Sequence, residues 1–176
     1  FAGDARYKGK ISGGGVTVPG LVASDGFIVN LPILGWRETN LRSLLAAIPE
    51  MQFSIENNSN AAAFGAVYTQ PDTQVSCTVF LKLGTGCGGA AIVNGRLLRG
   101  ADGTGMELGH LNLGKPGVLC SCGQTGCLET WVNLAALSRS YLGRDPQPED
   151  DIAALPEMVA TAFAAGDTVA CRSATN

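Results

Sequence analysis

His110 stands at the head of the segment ELGHLNLGKPGVLCSCGQTGCLET, and Cys120, Cys122 and Cys127 follow it closely. Three thiolates and one neutral imidazole complete the donor set of a structural zinc site, which is tetrahedral and closes without water. Gly117, Gly123 and Gly126 mark the segment as a loop, and glycine lets a backbone fold tightly around an ion. The competing readings are a disulfide and inert thiols packed as small apolar residues, but a loop has little core in which to hide three of them. The remaining cysteines, Cys77, Cys87 and Cys171, show no pairing pattern, which fits a reducing compartment better than a disulfide framework.

Two carboxylates bracket the proposed metal loop, Glu107 ahead of His110 and Glu129 just after Cys127. Carboxylates held together in a cleft suit vicinal hydroxyls, because each oxygen accepts a charge-assisted hydrogen bond. A metal-bound imidazole keeps one ring nitrogen for a ligand, so His110 can serve both. The plainer alternatives are a solvated surface acid for Glu107 and a dipole-stabilising residue at a helix start for Glu129. A glycine-rich loop, Leu83-Gly84-Thr85-Gly86-Cys87-Gly88-Gly89, can present consecutive amides to an anion. Taken alone it reads as a tight strand connection, since it matches neither a Walker loop nor a dinucleotide fingerprint.

The elements that must position these groups follow from local patterning. GGGVTVPGLVASDGFIVNLP predicts a strand, a turn and a second short strand, with Pro19-Gly20 and Asp25-Gly26 as turn chemistry. Asn40 can cap a helix whose apolar face is Leu41, Leu44, Leu45 and Ile48, with Pro49 beyond its end. An extended piece from Gln52 to Ile55 leads into ENNSN, whose side chains can cap the helix AAAFGAVY. Val75, Cys77, Val79, Leu81 and Leu83 alternate with mostly polar neighbours, which predicts a strand with that face buried. AAIV and RLLRG flank Asn94-Gly95, a strong hairpin signal. LETWVNLAALSRSYL predicts one amphipathic helix ended by Gly143, with Leu128, Trp131, Val132 and Ala135 inward; the linker RDPQPEDD and a last helix near Pro156 to Ala165 follow.

The whole chain of 176 residues, 45% of them hydrophobic, can bury a core of one domain or parts of two. A net charge of −3 without a basic run argues against this segment gripping nucleic acid by itself. No apolar run is long enough to span a bilayer and FAGDARYKGK lacks the apolar core of a secretory signal, so the expected place is the cytoplasm, away from membranes. Because the first residue is Phe1 rather than Met, the chain is expected to be a fragment.

Read together and in order, VTVPGLV, NLPILGW, IENNSNAAAFGA, LGTGCGG, GRLLRGADGTGMELGH and CSCGQTGCLE resemble the ROK family of bacterial sugar kinases and sugar-responsive transcriptional repressors. The element E-x-G-H followed by C-x-C-G-x-x-G-C-x-E is highly specific to it. The resemblance implies an α/β, actin-like (ribonuclease-H-like) two-lobed ATPase fold, incomplete at both ends. Residues 1–54 would be the remainder of an N-terminal lobe and 55–176 a partial C-terminal lobe with the zinc loop at 107–129. It also implies that His110, Cys120, Cys122 and Cys127 hold a structural zinc, and that Asn57, Asn58, Glu107, His110 and Glu129 line a sugar site in the cleft between lobes. Gly84, Thr85 and Gly86 correspond to the family's second phosphate loop.

Three departures bear on function. The family's kinases carry an aspartate as general base in E-N-D-A-N, and here Asn58 stands in that place. An amide cannot take the proton, and general-base assistance is worth about two to four orders of magnitude. The first phosphate loop has no counterpart, and the last helices and adenosine-lining glycine pair of the C-terminal lobe are not found after AAGDTVACRSATN. The expected protein is therefore a sugar-sensing segment of a ROK-type (NagC/XylR-like) regulator, with no catalytic residue. It would bind a monosaccharide or sugar-phosphate effector, reach DNA only through a helix-turn-helix outside this sequence, and form homo-oligomers. The alternative is a glucokinase-like sugar kinase using ATP and Mg2+; a third reading is a zinc-stabilised interaction domain without a ligand.

Overall fold

The computed structural model describes residues 11–31, 34–48, 51–69 and 76–170. Contacts group the chain into two compact units, residues 1–80 with 90–106, and residues 81–89 with 107–176. The strand and helix around residue 55, where the sequence suggested a boundary, thus stay with the first unit.

In the first unit β1 (Gly13–Val18) pairs in parallel with β5 (Gln52–Asn57), Val18 opposite Asn57, which carries the ENNSN element to the end of this pair. The expected second strand is present as β2 (Leu21–Val22) and β3 (Phe27–Leu31), turned at Asp25-Gly26, where the Phe27 amide donates to Asp25 Oδ1 at 2.9 Å and Gly26 takes φ +85°. A third strand, β4 (Trp36–Asn40), was not foreseen; it completes the antiparallel sheet β2-β3-β4. Polar WRETN carries no period-two signal, and its strand forms by pairing with β3. Asn40 caps α1 (Leu41–Leu45) as expected, accepting from the Ser43 amide at 3.0 Å. The apolar face differs from expectation: Leu41 is buried against Ile28 and Leu31, whereas Leu44 and Ile48 are exposed. Five residues make barely more than one turn, too short to hold a full apolar stripe against the core. Pro49 lies outside the described residues.

The helix α2 (Asn58–Tyr68) begins where the polar cluster predicts, with Asn57 as its cap. Ala63 and Val67 pack on Phe80, Ala90, Ile92 and Leu97 of the sheet β6-β7-β8. This corrects the expected face of β6 (Cys77–Leu83): Cys77, Val79, Leu81 and Leu83 are exposed, and the opposite residues Thr78 and Phe80 are partly buried. Alternation misled because the position of α2 sets Phe80, the strand's largest side chain, against the helix from the otherwise more polar face. Val75 lies outside the described residues. The hairpin from β7 (Cys87–Val93) to β8 (Arg96–Leu97) turns on Asn94 and Gly95, both at positive φ, the geometry of a type I′ turn.

In the second unit, the single helix expected from LETWVNLAALSRSYL is two: α3 (Glu129–Val132) and α4 (Leu134–Leu142). Asn133 is extended at ψ 171° and its side chain accepts from the Ala136 amide at 2.8 Å, so one residue ends the first helix and caps the second. The break turns Trp131 and Val132 outward, against expectation. Gly143 ends α4 in the left-handed conformation at φ +73°, as predicted. The linker after it is ordered by Arg144, which grips Asp150 at 2.6 and 2.8 Å and holds its carboxyl down at about 2. The helix α5 (Leu155–Ala164) follows.

Ile28 and Leu31 are fully buried in the first unit's core. Ile28→Ala should lower the unfolding free energy by about 2–5 kcal/mol in a denaturant titration. A loss well below about 1 kcal/mol would show that this cluster does not hold the unit together.

Candidate metal centre and carboxylate site

The cysteine loop is folded by its own backbone before any ligand is considered. Cys127 bridges Asn112, Leu119 bridges Thr125, and the Cys120 amide donates to Gln124 O at 2.8 Å, so the two ends of the loop run side by side. Gly123, at φ +87°, closes the tight turn after Cys122, its amide donating to Cys120 O at 2.9 Å. Gly126, at φ +82°, has no room for a side chain, because a β-carbon there would lie 2.6 Å from Lys115 O. Trp131, turned outward, serves the loop instead: Lys115 Nζ stands 5.9 Å from its ring, and Gly117 packs on its indole.

Within this frame the donor atoms of His110, Cys120, Cys122 and Cys127 all lie within 4.8 Å of one another. His110 Nδ1 is 3.5 Å from Cys120 Sγ, and Cys122 Sγ is 3.6 Å from Cys127 Sγ. The edges of a tetrahedron with metal–sulfur bonds of about 2.3 Å are about 3.8 Å long, so the set fits a single small soft cation. Burial and the neighbouring thiols push Cys127 up to about 12, while the Gln124 amide draws Cys122 below its ordinary value. A metal would replace these protons and release them on binding.

Both carboxylates lie in the same unit as this cluster. Glu129 opens α3, one oxygen accepting from the Cys87 amide at 2.9 Å and the other 3.7 Å from Cys120 Sγ. Glu107 precedes a 3-10 turn, Leu108–His110, and follows Met106, a non-glycine residue at φ +66°. Glu107 is exposed as a residue, yet partial desolvation pushes its carboxyl above the usual range, with His110 opposing the rise and Glu129 adding to it. Burial followed by the charge of Glu129 likewise raises the Cys87 thiol.

Asn57 and Asn58 lie in the first unit. Asn57 Oδ1 accepts from the Ser59 and Asn60 amides at 2.7 and 3.2 Å, and its Nδ2 donates to Gly20 O at 2.8 Å, so capping takes most of its side-chain capacity. Asn58 is the first residue of α2, with Oδ1 3.4 Å from Ser59 Oγ. One residue absent from the sequence reading stands out here: Glu56 accepts from the Asn57 amide and Asn60 Nδ2, both at 3.0 Å, and pairs with Arg99 at 2.5 Å. Its signal in the sequence was its place at the head of ENNSN, where a strand meets a helix.

Gly84, Thr85 and Gly86 form the turn from β6 to β7, the Gly84 amide donating to Gly86 O at 3.0 Å and Gly84 O accepting from the Leu134 amide at 2.8 Å. Cys87 and Gly109 were also missed; a β-carbon on Gly109 would run into Cys87 O, and one on Gly89 would overlap Leu108. These glycines let the turn that carries Glu107 and His110 lie directly on the start of β7.

The sequence pattern of the ROK family matches residues 2–175. The chain belongs to the ROK family. It is 32% identical over 141 residues to a glucokinase of Halalkalibacterium halodurans, covering 79% of this chain and 43% of that protein. It is 34% identical over 126 residues to the xylose repressor of Bacillus subtilis, covering 72% of this chain and 33% of that protein. It superimposes with a TM-score of 0.76 and 27% identity on a ROK family glucokinase from Streptomyces griseus, solved with glucose and AMPPNP, over 92% of this chain and 56% of that one. The chain thus spans less than half the length of the two curated relatives. Its ROK neighbours have the actin-like ATPase fold, and its α/β elements match part of it. No described helix is long and apolar enough to cross a membrane.

Gly109→Ala should force the His110 turn off Cys87 and lower the melting temperature, with a cost of about 1–3 kcal/mol. An unchanged melting temperature would mean that this close approach is not needed.

Proposed function

We propose that the chain is the sugar-binding segment of a ROK-type transcriptional regulator, with one structural zinc and no phosphoryl transfer of its own. The observation that carries this reading is Asn58 at the first position of α2, where the family's kinases place their general base. A sensor needs the polar groups that hold a sugar but not a proton acceptor, and Asn58 can donate or accept a hydrogen bond without removing a proton. Asn57, Asn58, Glu107, His110 and Glu129 would bind the hydroxyls of a monosaccharide or sugar phosphate. DNA would be read by a helix-turn-helix elsewhere in the full-length protein, which would act in the cytoplasm as a homo-oligomer. The xylose repressor among the relatives supports this class; the glucokinases among them, with the retained Gly84-Thr85-Gly86 turn, favour an ATP- and Mg2+-dependent kinase as the second reading.

Zinc is the metal of choice because three thiolates and an imidazole at tetrahedral spacing are its usual structural ligands. Purified protein should hold about one zinc per chain, and Cys120→Ser should release it and lower the melting temperature. Metal content far below one, with Cys120→Ser as stable as the parent, would refute the zinc assignment.

The class is tested on the full-length protein with a panel of hexoses, pentoses and N-acetylamino sugars. Calorimetry should find a sugar whose affinity falls about ten- to a hundredfold in Glu129→Gln, the loss of a charge-assisted hydrogen bond. A coupled ADP assay should show no more than trace turnover, with Asn58→Asp raising it if a nucleotide site is intact. Turnover at ordinary kinase rates in the parent protein would replace the regulator with the kinase.

A further inference from the structure

A protein that does not transfer phosphate has no evident use for a phosphate loop, yet the Gly84-Thr85-Gly86 turn is ordered by contacts within the protein itself. Gly84 O takes the Leu134 amide at the start of α4, and the Cys87 amide is spent on Glu129 Oε2 at 2.9 Å. Gly86 is the tight point. A β-carbon there would lie 2.8 Å from Glu129 Oε2, far inside van der Waals contact, and the glycine does not have a positive φ that would otherwise explain it. What a β-carbon here would displace is the carboxylate at the end of the Glu129 side chain, not backbone.

We propose that the glycine loop is a clamp for Glu129: Gly86 leaves space for the carboxylate, the Cys87 amide holds Oε2, and Oε1, 3.7 Å from Cys120 Sγ, is left to accept from a sugar hydroxyl once that sulfur gives up its proton to bind metal. Gly86 and Cys87 are positioning residues that act through Glu129. A backbone amide is well suited to this, since it costs no side-chain entropy to order and a bond to a charged acceptor is among the stronger ones. The clamp also explains why the loop would persist when phosphoryl transfer is not required, because losing it would release the sugar-binding carboxylate. It rests on the proposed role of Glu129 in sugar binding, and its test separates the two.

The experiment uses the zinc-loaded full-length protein and compares the parent with Gly86→Ala, Glu129→Ala and, as a control, Gly65→Ala, whose added methyl would meet open space. Amide hydrogen exchange of the segment 84–89 and sugar affinity are measured together with zinc content and melting temperature. We expect faster exchange at the Cys87 amide in both Gly86→Ala and Glu129→Ala but not in Gly65→Ala. We also expect Gly86→Ala to weaken sugar binding about tenfold or more while zinc stays bound. An unchanged Cys87 exchange rate in Glu129→Ala overturns the clamp whatever the sugar result. Full sugar affinity in Gly86→Ala overturns it as well. If Glu129→Ala loosens the loop but leaves sugar affinity intact, the sugar role of Glu129 falls, and this use of the clamp falls with it.

Discussion

Four donor atoms within 4.8 Å of one another are the constraint on which the loop from His110 to Cys127 depends. A loop this rich in glycine loses much conformational entropy on ordering and buries little apolar surface in return. Backbone bridges at Asn112–Cys127 and Leu119–Thr125 bring its ends together, yet such pairs contribute only about 1 kcal/mol each. With buried Cys127 pushed up to about 12, the arrangement holds polarisable thiols whose protons a cation would displace. The free energy of binding a metal becomes free energy of folding, because the unfolded loop offers no preformed site. What the metal would hold in register is the turn ending at His110 and the start of α3 at Glu129, the two places where carboxylates emerge.

Glu129 is the point at which the cysteine loop and the glycine turn meet. One oxygen stands near Cys120 Sγ and the other takes the Cys87 amide, so the residue reports on both the cysteine loop and the glycine turn. The first unit repeats the same device with other residues: Glu56 holds the Asn57 amide, the Asn60 side chain and Arg99, and thereby fixes the start of α2, where Asn58 sits. In each unit a partly buried glutamate that accepts from a backbone amide stands at or beside the start of a helix. Networks of this kind are costly when half satisfied and rigid when complete.

The chemistry-bearing parts of the chain were legible because their spacing is local. The donor set, the Asn94-Gly95 hairpin, the Asn57 cap and the Gly143 stop each depend on neighbours a few residues apart. What could not be read depended on partners distant in sequence. Strand β6 alternates apolar residues with Thr78, Phe80 and Lys82, and only the placement of α2 decides that Phe80 packs and Val79 does not. The polar strand β4 exists by pairing with β3. Asn133 divided the expected helix because its side chain caps better than it continues. Glu56, and the bond from the Cys87 amide to Glu129, could not be read because their importance lies in contacts distant in sequence, not in any motif of their own.

If a metal organises the proposed sugar-binding groups, sugar affinity must depend on metal without any sugar oxygen having to touch it. The direct measurement is calorimetric titration of the bound sugar against full-length protein as isolated, after removal of metal by a chelator, and after reloading with zinc. We expect affinity to fall by about tenfold or more on stripping and to return on reloading, since preorganised carboxylates would be lost and regained together. A stripped protein that remains folded and binds the sugar as tightly as the loaded one would contradict the central claim that the cysteine cluster builds the site.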